Sequence, residues 1–216
     1  MSSVRLVSYS QMPPGEEQKT LQDVVAYCAR VSNPANQSST HTNERLIQYL
    51  IKNHHWSPLE MVSICLEIET TRDIARQILR HRSFSFQEFS QRYAVADLGF
   101  ETRDARMQDP KNRQNSIETE DTKLQETWET VQDRVAETSK VAYQWALDNG
   151  IAKEQARAVL PEGMTRSRMY MNGTLRSWVH YIQLRSSNCT QKEHQEIALK
   201  CADVISSIFP ISTILL

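Results

Sequence analysis

Residues 62–93 read VSICLEIETTRDIARQILRHRSFSFQEFSQRY, and they carry the clearest secondary-structure pattern of the chain. Its opening, residues 62–69, alternates apolar with polar side chains, which is the period of a strand with one buried face. Thr71 can cap a following helix over about 72–81. The letters SFSFQEF then alternate again. The stretch therefore predicts a strand, a helix and a second strand or extended segment, in that order.

The flanking sequence adds helices and further strands. The letters TRSRMYM alternate like a strand before Asn172-Gly173, which we expect to turn the chain. We predict strands over 4–8 and 165–171, and helices over about 21–29, 43–53, 124–149, 153–157, 174–187 and 191–209. These elements predict an α/β fold of the α+β type, in which a small mixed or antiparallel sheet of about four strands is flanked by long helices.

Residues 97–122 are polar and show no helical or strand period. Because 216 residues suit one domain, we expect a single domain over 1–216 that carries this segment as a long surface loop insertion. The loop can serve as a mobile lid or as an oligomer contact, and the sequence leaves both possibilities open.

Composition and charge limit the partners of the chain. A formal net charge of −1 gives no overall attraction to nucleic acids or acidic membranes. Arginines outnumber lysines 17 to 8, a bias that suits local phosphate binding but can equally reflect composition and surface ion pairs. The N-terminus lacks a signal-peptide pattern and no apolar run approaches a membrane span, so we expect a cytoplasmic protein.

The cysteines and adjacent histidines do not form a metal pattern. Cys28, Cys65, Cys189 and Cys201 are scattered and read as reduced, mostly buried thiols. Nothing near His54-His55 completes a zinc shell. We therefore predict no metal site.

The clearest chemical feature lies at the end of the opening stretch. Arg80-His81-Arg82 stand where a helix meets an extended segment, so their side chains diverge and can serve two ligands. Ser90 and Arg92 should lie on one side of the extended segment, where a hydroxyl and a guanidinium can grip one phosphate, and Glu88 shares that side. The alternative is that these residues bind no ligand. Arg80 to Arg82 would then lie at a helix C-terminus, where positive charges are favourable, and Glu88 and Arg92 would form a surface ion pair.

These residues resemble the signature of the flavin-dependent thymidylate synthases: RHR, seven residues, Ser, one residue, Arg. Further segments are similar to the same family. They are His55-Trp56-Ser57-Pro58-Leu59-Glu60, Arg157-Ala158-Val159-Leu160-Pro161, and Leu175-Arg176-Ser177-Trp178 with His180 and Leu184-Arg185. The resemblance runs from about residue 20 to the C-terminus.

The resemblance implies a homotetramer with active sites shared between subunits. Members of this family bind FAD in the active site and convert dUMP to dTMP by reductive methylation, with 5,10-methylenetetrahydrofolate as carbon donor and NADPH as reductant. The resemblance assigns FAD contacts to Ser57, Arg80, His81, Arg82 and Glu88. It assigns further FAD contacts to Thr174, Leu175, Arg176 and His180 of a neighbouring subunit. It assigns dUMP contacts to Gln77, Arg80, Glu88, Ser90, Gln91, Arg92, Arg157 and Arg185.

The resemblance also gives Arg185 the catalytic role, in which a fixed cation beside the uracil imide favours its ionised form. His55, Tyr93 and Asn172 are secondary candidates. We prefer Thr174 to Asn172 for the flavin contact, although residues MNGTLRS contain one residue more than some members of the family have. A second departure is Gln87, which stands where the family often has Asn. Two alternative hypotheses for the function are considered. The protein is another flavin- or nucleotide-binding oxidoreductase, or it is a nucleic-acid-binding module that uses Arg72, Arg76 and Arg80.

Overall fold

The computed structural model describes residues 2–13, 15–16 and 20–209. The longer elements, in chain order, are β1 (Ser3–Tyr9), α1 (Leu21–Ala29), α2 (Asn43–Lys52), β2 (Ser63–Thr71), α3 (Arg72–Ile78), β3 (Ser85–Glu88), β4 (Arg106–Gln108), β5 (Ser116–Glu118), α4 (Thr122–Asp148), α5 (Lys153–Ala156), β6 (Arg166–Thr174), α6 (Leu175–Arg185) and α7 (Lys192–Ser206). Short 3-10 turns lie at Pro34–Asn36, Ser57–Met61 and Arg157–Val159.

The main sheet has four antiparallel strands in the order β1-β2-β6-β3. The alternating residues 62–69 form most of β2, an inner strand of this sheet. Their apolar members Ile64, Leu66 and Ile68 are fully buried on one face. On the opposite face Glu67 accepts hydrogen bonds from Arg5 at 2.9 and 3.1 Å. The predicted α+β fold with a small antiparallel sheet is confirmed.

Helices cover the apolar face of this sheet. Trp178 on α6 is fully buried, and its indole Nε1 donates to the carbonyl oxygen of Ile64 at 3.0 Å. Ile197 and Ile205 on α7 complete the same core. Full burial of such side chains contributes about 1.5–3 kcal/mol each. The burial therefore fixes α6 directly against the centre of the sheet, and α6 carries most of the distant residues that the family resemblance singled out.

Two sequence predictions differ from the structure at element boundaries. The helix predicted over 72–81 ends at Ile78, because the N–H groups of Arg80 and His81 bond three residues back, to Gln77 and Ile78, in a tighter turn. Asn172-Gly173 does not turn the chain. It lies inside β6, whose Asn172 pairs with β2 on one side and with β3 on the other.

The segment 97–122 is not entirely a loop. It contains a two-stranded hairpin of β4 and β5, which pair from Arg106↔Glu118 to Gln108↔Ser116. Ion pairs fix the hairpin to α7, from Lys192 to Glu118 and from Arg106 to Glu193. The strands were not predicted because they are three residues long and largely exposed, so they carry no apolar alternation.

Among the helices that the structure describes, none is long and apolar enough to cross a membrane.

Candidate active site

The RHR signature lies in the turn between α3 and β3, where the chain leaves the helix. The side chains of Arg80 and Arg82 are exposed. Within the described part of the chain, neither guanidinium forms a hydrogen bond or an ion pair. This turn therefore presents two uncommitted positive charges on a molecule whose net charge is nearly zero.

His81 points the other way and meets Arg185 at the end of α6. Arg185 Nε donates to His81 Nε2 at 2.9 Å across 104 residues of sequence. Burial, together with the nearby Arg185 charge, lowers the pKa of His81 to about 4. His81 is therefore neutral at pH 7, and its Nε2 serves as an acceptor that holds the guanidinium.

The first turn of α6 packs beside the 3-10 turn that contains Ser57. Thr174 caps the helix by accepting from the Ser177 backbone N–H at 3.3 Å. Arg176 forms an ion pair with Glu60, and the His180 ring lies 4.5 Å from the Trp56 ring. Ser177 also donates to the carbonyl oxygen of Ser83, at 3.3 Å. The side chain of Leu175 is fully buried, so only its backbone is available to a ligand.

These contacts join three distant segments within one chain. The resemblance placed Thr174, Arg176 and His180 in a neighbouring subunit's helix, whereas α6 here also lies against residues 57–60 and 83 of its own chain. Arg176 and Arg185 bond to different partners, Glu60 and His81, as their nine-residue spacing predicts.

Glu88, at the end of β3, binds arginines from α3. Its carboxylate oxygens lie 3.6 Å from both Arg72 Nη1 and Arg76 Nη1, and the Ser167 hydroxyl donates to it at 2.9 Å. Burial lowers the pKa of Arg72, and the Glu88 charge opposes that shift. Arg72 and Arg76 therefore both pair with Glu88, while Arg80 lies beyond the end of α3.

The prediction that Ser90 and Arg92 share one side of an extended segment is wrong. β3 ends at Glu88, and the chain turns so that the N–H groups of Tyr93 and Ala94 both bond to the carbonyl oxygen of Ser90 at 3.1 and 3.0 Å. Gln91 lies inside this turn with 3% of its surface exposed. Its side-chain Nε2 forms no hydrogen bond to any described residue. The turn thus points one buried, unbonded donor inward and leaves Arg92 exposed.

The same turn lies against α5, which brings Arg92 close to Arg157. Arg92 Nε lies 3.5 Å from Glu154 Oε2, and Arg157 Nε donates to the Glu154 carbonyl oxygen at 3.3 Å. Lys153 Nζ donates to the carbonyl oxygen of Tyr93 at 3.1 Å. Sequence reasoning missed Glu154 and Lys153, because contacts across 60 residues leave no periodic signal.

A buried polar cluster behind His81 was also missed. His194 on α7 is fully buried, with its Nδ1 3.2 Å from Gln77 Oε1 and its Nε2 3.1 Å from the Tyr181 hydroxyl. Burial first, and then the charges of Arg185 and His81, lower the pKa of His194 to about 3. One histidine among apolar residues of a predicted helix gives no sequence signal for such a cluster.

Two of the secondary candidates, Asn172 and His55, lie at the protein surface. Asn172 is exposed on the outer face of the sheet, opposite Cys65 and Ser85. His55 is exposed and contacts the edge of the Tyr49 ring. The described residues contain no group of three or more His, Cys, Asp or Glu side chains that could hold a metal ion.

Burial disfavours two of the four cysteines, Cys65 and Cys201, as nucleophiles. All four are free, and Cys201 is completely buried, which raises the pKa of its thiol well above the usual range. Burial also raises the pKa of Cys65. A raised thiol pKa disfavours the thiolate, which is the nucleophilic form.

Comparison with known proteins identifies the family. The family model described as Thymidylate synthase complementing protein matches residues 15–211. A flavin-dependent thymidylate synthase of Synechocystis sp. is 50% identical over 187 residues, which cover 87% of this chain and 85% of the relative. The chain belongs to the flavin-dependent thymidylate synthase family. A probable flavin-dependent thymidylate synthase of Paramecium bursaria Chlorella virus 1 is 46% identical over 208 residues, 96% of this chain and 95% of that protein.

Solved structures agree with this family. The chain is similar to a UMP/dUMP methylase, PolB, from Streptomyces cacaoi, solved with 5-Br dUMP bound. The TM-score is 0.82 at 26% sequence identity, and the match covers 96% of this chain and 91% of the other. The same methylase with 5-Br UMP gives a TM-score of 0.83.

Proposed function

We propose that the protein converts dUMP to dTMP by reductive methylation, with 5,10-methylenetetrahydrofolate as carbon donor and NADPH as reductant through FAD. The observation that carries the proposal is the bond between Arg185 and neutral His81, which holds a guanidinium next to the RHR signature. Family membership and the similarity to a UMP/dUMP methylase support the same reaction.

The residues around the signature fit FAD. FAD is a dinucleotide and carries a negatively charged pyrophosphate. Arg80 and Arg82 can bind it, because their guanidinium groups are exposed and form no bond to any described residue. The hydroxyl of Thr174 lies at the start of α6, and His180, further along the same helix, contacts the ring of Trp56. We assign FAD binding to Ser57, Arg80, His81, Arg82, Glu88, Thr174, the backbone of Leu175, Arg176 and His180. When bound and reduced by NADPH, the flavin would supply the hydride that completes the methyl group.

A second group of residues fits dUMP. Arg92 and Arg157 meet at Glu154, and their two positive charges suit a nucleotide phosphate. The unbonded Nε2 of buried Gln91 suits a carbonyl oxygen of the uracil ring. We assign dUMP binding to Gln77, Arg80, Glu88, Ser90, Gln91, Arg92, Arg157 and Arg185.

Arg185 performs the activation in this proposal. Its guanidinium, placed beside the uracil imide, stabilises the ring after the imide loses its proton, and the added electron density makes carbon 5 nucleophilic. His81 stays neutral, so it accepts from Arg185 Nε without adding a competing positive charge. Carbon 5 then forms its bond to the methylene carbon and releases its own proton, while the bonds between the methylene carbon and the folate nitrogens break and the folate leaves.

The test compares Arg185→Ala with a variant in which all four cysteines are replaced by Ser or Ala. We measure proton release from carbon 5 of dUMP in the presence of FAD, NADPH and methylenetetrahydrofolate. Loss of a preorganised charge costs about 100- to 1,000-fold in rate, so we expect at least that loss for Arg185→Ala. The cysteine-free variant should keep most of its turnover.

Arg45→Ala, on the exposed side of α2, is the control and should react like the wild type. Loss of turnover in a folded cysteine-free variant would establish a covalent mechanism instead. Oxidation of NADPH without proton release from dUMP would establish another flavin-dependent oxidoreductase.

The proposal includes a homotetramer with shared sites. Leu124, Trp128, Val131 and Val135 on α4 follow a spacing of four and three residues, and Trp145 continues this apolar stripe with 62% of its surface exposed. An exposed stripe of this length favours contact with another protein surface. We also place the reaction in the cytoplasm, where the free and partly exposed thiols would stay reduced.

Sedimentation velocity tests the assembly. Trp145→Glu buries a charge if the stripe is an interface, so we expect the tetramer to dissociate. Thr130→Glu adds the same charge at an exposed position off the stripe and should leave the mass unchanged. A wild-type monomer would contradict the proposed assembly.

A further inference from the structure

One carboxylate sets the direction of a buried hydrogen-bond chain that runs from the start of α7 to Tyr181. Glu193 pairs with Arg106, and Arg103 Nε lies 4.0 Å away. Burial alone would raise the pKa of the Glu193 carboxyl, but hydrogen bonds from Gln191 and from its own backbone N–H, with the two arginine charges, lower it. The carboxylate is therefore ionised and can only accept hydrogen bonds.

The orientation of each following group depends on this acceptor. Gln191 Nε2 donates to Glu193 Oε2 at 2.9 Å, so Gln191 presents its Oε1 to Gln77, whose Nε2 donates to it at 2.7 Å. Gln77 thereby turns its own Oε1 toward His194 Nδ1. Because a carbonyl oxygen only accepts, His194 carries its proton on Nδ1. Its Nε2 then accepts from the Tyr181 hydroxyl.

The far end of the chain contacts the pair of His81 and Arg185. The ring of Tyr181 meets the ring of His81 edge-on, with centroids 4.9 Å apart and an interplanar angle of 86°. His81 Nε2 accepts from a guanidinium N–H, which can only donate, so this nitrogen carries no proton. Both imidazoles therefore carry their proton on Nδ1.

Resting on the proposed function, we propose that His194 and Tyr181 are positioning residues for Arg185. The chain from Glu193 fixes the Tyr181 ring, and this ring holds His81 in the orientation that accepts from Arg185 Nε. The chain also gives the segment 97–122 a role, because its residues Arg103 and Arg106 keep the Glu193 carboxylate in place. A segment outside the RHR signature thus helps to position the activating guanidinium.

Imidazole ¹⁵N NMR of the full chain tests the direction of the chain. We expect His81 and His194 both to show a protonated Nδ1 and an unprotonated Nε2. Glu193→Gln supplies an amide that can donate as well as accept, so the His194 signals should shift toward a mixture of the two neutral tautomers. Glu196→Gln, at an exposed position of α7, should leave them unchanged. A proton on His194 Nε2 in the wild type, or identical spectra for both variants, would overturn the proposal.

Tyr181→Phe tests the positioning role kinetically, with Tyr143→Phe as the matched control. Tyr143 is 5% exposed and its hydroxyl accepts from the Ala96 N–H at 3.0 Å, so both variants lose one hydroxyl from a buried ring. A slightly misaimed group lowers turnover more than binding, so we expect Tyr181→Phe to reduce kcat about 10-fold with a change in dUMP Kd below about 3-fold.

The outcomes separate this inference from the proposed function. Equal kcat values for the two tyrosine variants, in a wild type that releases the carbon 5 proton of dUMP, would refute the positioning role alone. A wild type that releases no proton would refute the proposed function. Thermal unfolding checks the fold of each variant, and the Glu193→Gln comparison decides the question if Tyr181→Phe does not fold.

Discussion

Glu154 holds both arginines that the proposal assigns to the dUMP phosphate. Arg92 binds its carboxylate, and Arg157 binds its carbonyl oxygen. The side chains of Arg92 and Glu154 are 69% and 49% exposed, and ion pairs this open contribute at most about 1 kcal/mol. A doubly charged phosphate therefore competes well for Arg92, and Glu154 keeps the guanidinium near the site when no nucleotide is bound.

Calorimetric titration with dUMP tests this arrangement. Arg92→Ala removes a charge-assisted hydrogen bond of about 1.5–3 kcal/mol, so we expect binding to weaken about 10- to 100-fold. Glu154→Gln removes the competing carboxylate and should tighten binding. Deoxyuridine, which lacks the phosphate, is the control and should bind both variants like the wild type. Unchanged affinity of Arg92→Ala for dUMP would show that Arg92 does not bind the phosphate.

For single residues, the spacing of side chains within one segment predicted part of the site, whereas contacts between distant segments could not be predicted from the sequence. The order of Arg80, His81 and Arg82 pointed to an anion site, and the structure leaves two of these groups uncommitted. His194 contacts Gln77 across 117 residues. Periodicity cannot encode such a contact, because it depends on how α7 packs against α3.

At the scale of elements, β3 depends on the absence of a side chain in β6. A Cβ added at Gly173 would lie 2.4 Å from Phe84 Cδ1 and 2.6 Å from Cε1. Phe84 cannot move away freely, because its ring packs against the fully buried ring of Trp178 with centroids 4.8 Å apart. The glycine therefore allows the RHR turn to approach the end of β6.

Gly173→Ala should destabilise the protein by about 1–3 kcal/mol, the usual cost of overpacking a core. It should also lower activity, because β3 and the signature turn must shift. Gly163→Ala is the matched control, since nothing lies within 4 Å of its added Cβ, and its stability should stay within about 0.5 kcal/mol of the wild type. Denaturant unfolding measures both, and equal midpoints would contradict the packing argument.

Long periodic elements were predictable from the sequence, while short polar ones were not. β2 and β6 follow clear periods because each buries one face of the sheet, and α4 follows the helical period of an apolar stripe that is exposed in the single chain. The β4–β5 hairpin buries little and depends on ion pairs with α7. Asn172-Gly173 resembles a turn locally, but pairing with strands on both sides keeps it extended.

At the scale of the whole molecule, buried His194 makes stability depend on pH. Its pKa is about 3 in the folded chain, below the usual value of 6.5, so protonation favours the unfolded chain. The stability contributed by neutral His194 is complete above pH 6.5 and is lost as the pH falls toward 3. At pH 5 the loss amounts to about 2 kcal/mol.

Unfolding by denaturant at pH 7.5 and pH 5.0 measures this contribution. His194→Asn removes the titrating group, so its loss of stability between the two pH values should be about 2 kcal/mol smaller than that of the wild type. His41→Asn, at an exposed position, should lose as much as the wild type. Identical pH dependence of all three proteins would contradict the burial of a neutral His194.

The central pairing of β2 with β6 has a further consequence during synthesis. These strands pair over nine positions, yet Glu69 and its partner Arg168 are 99 residues apart. Closing such a segment is entropically costly and slow. While the ribosome synthesises the intervening residues, β2 keeps one edge unpaired, and unpaired apolar strands promote aggregation. Nascent chains that have not yet reached Thr174 should therefore be substrates for chaperones.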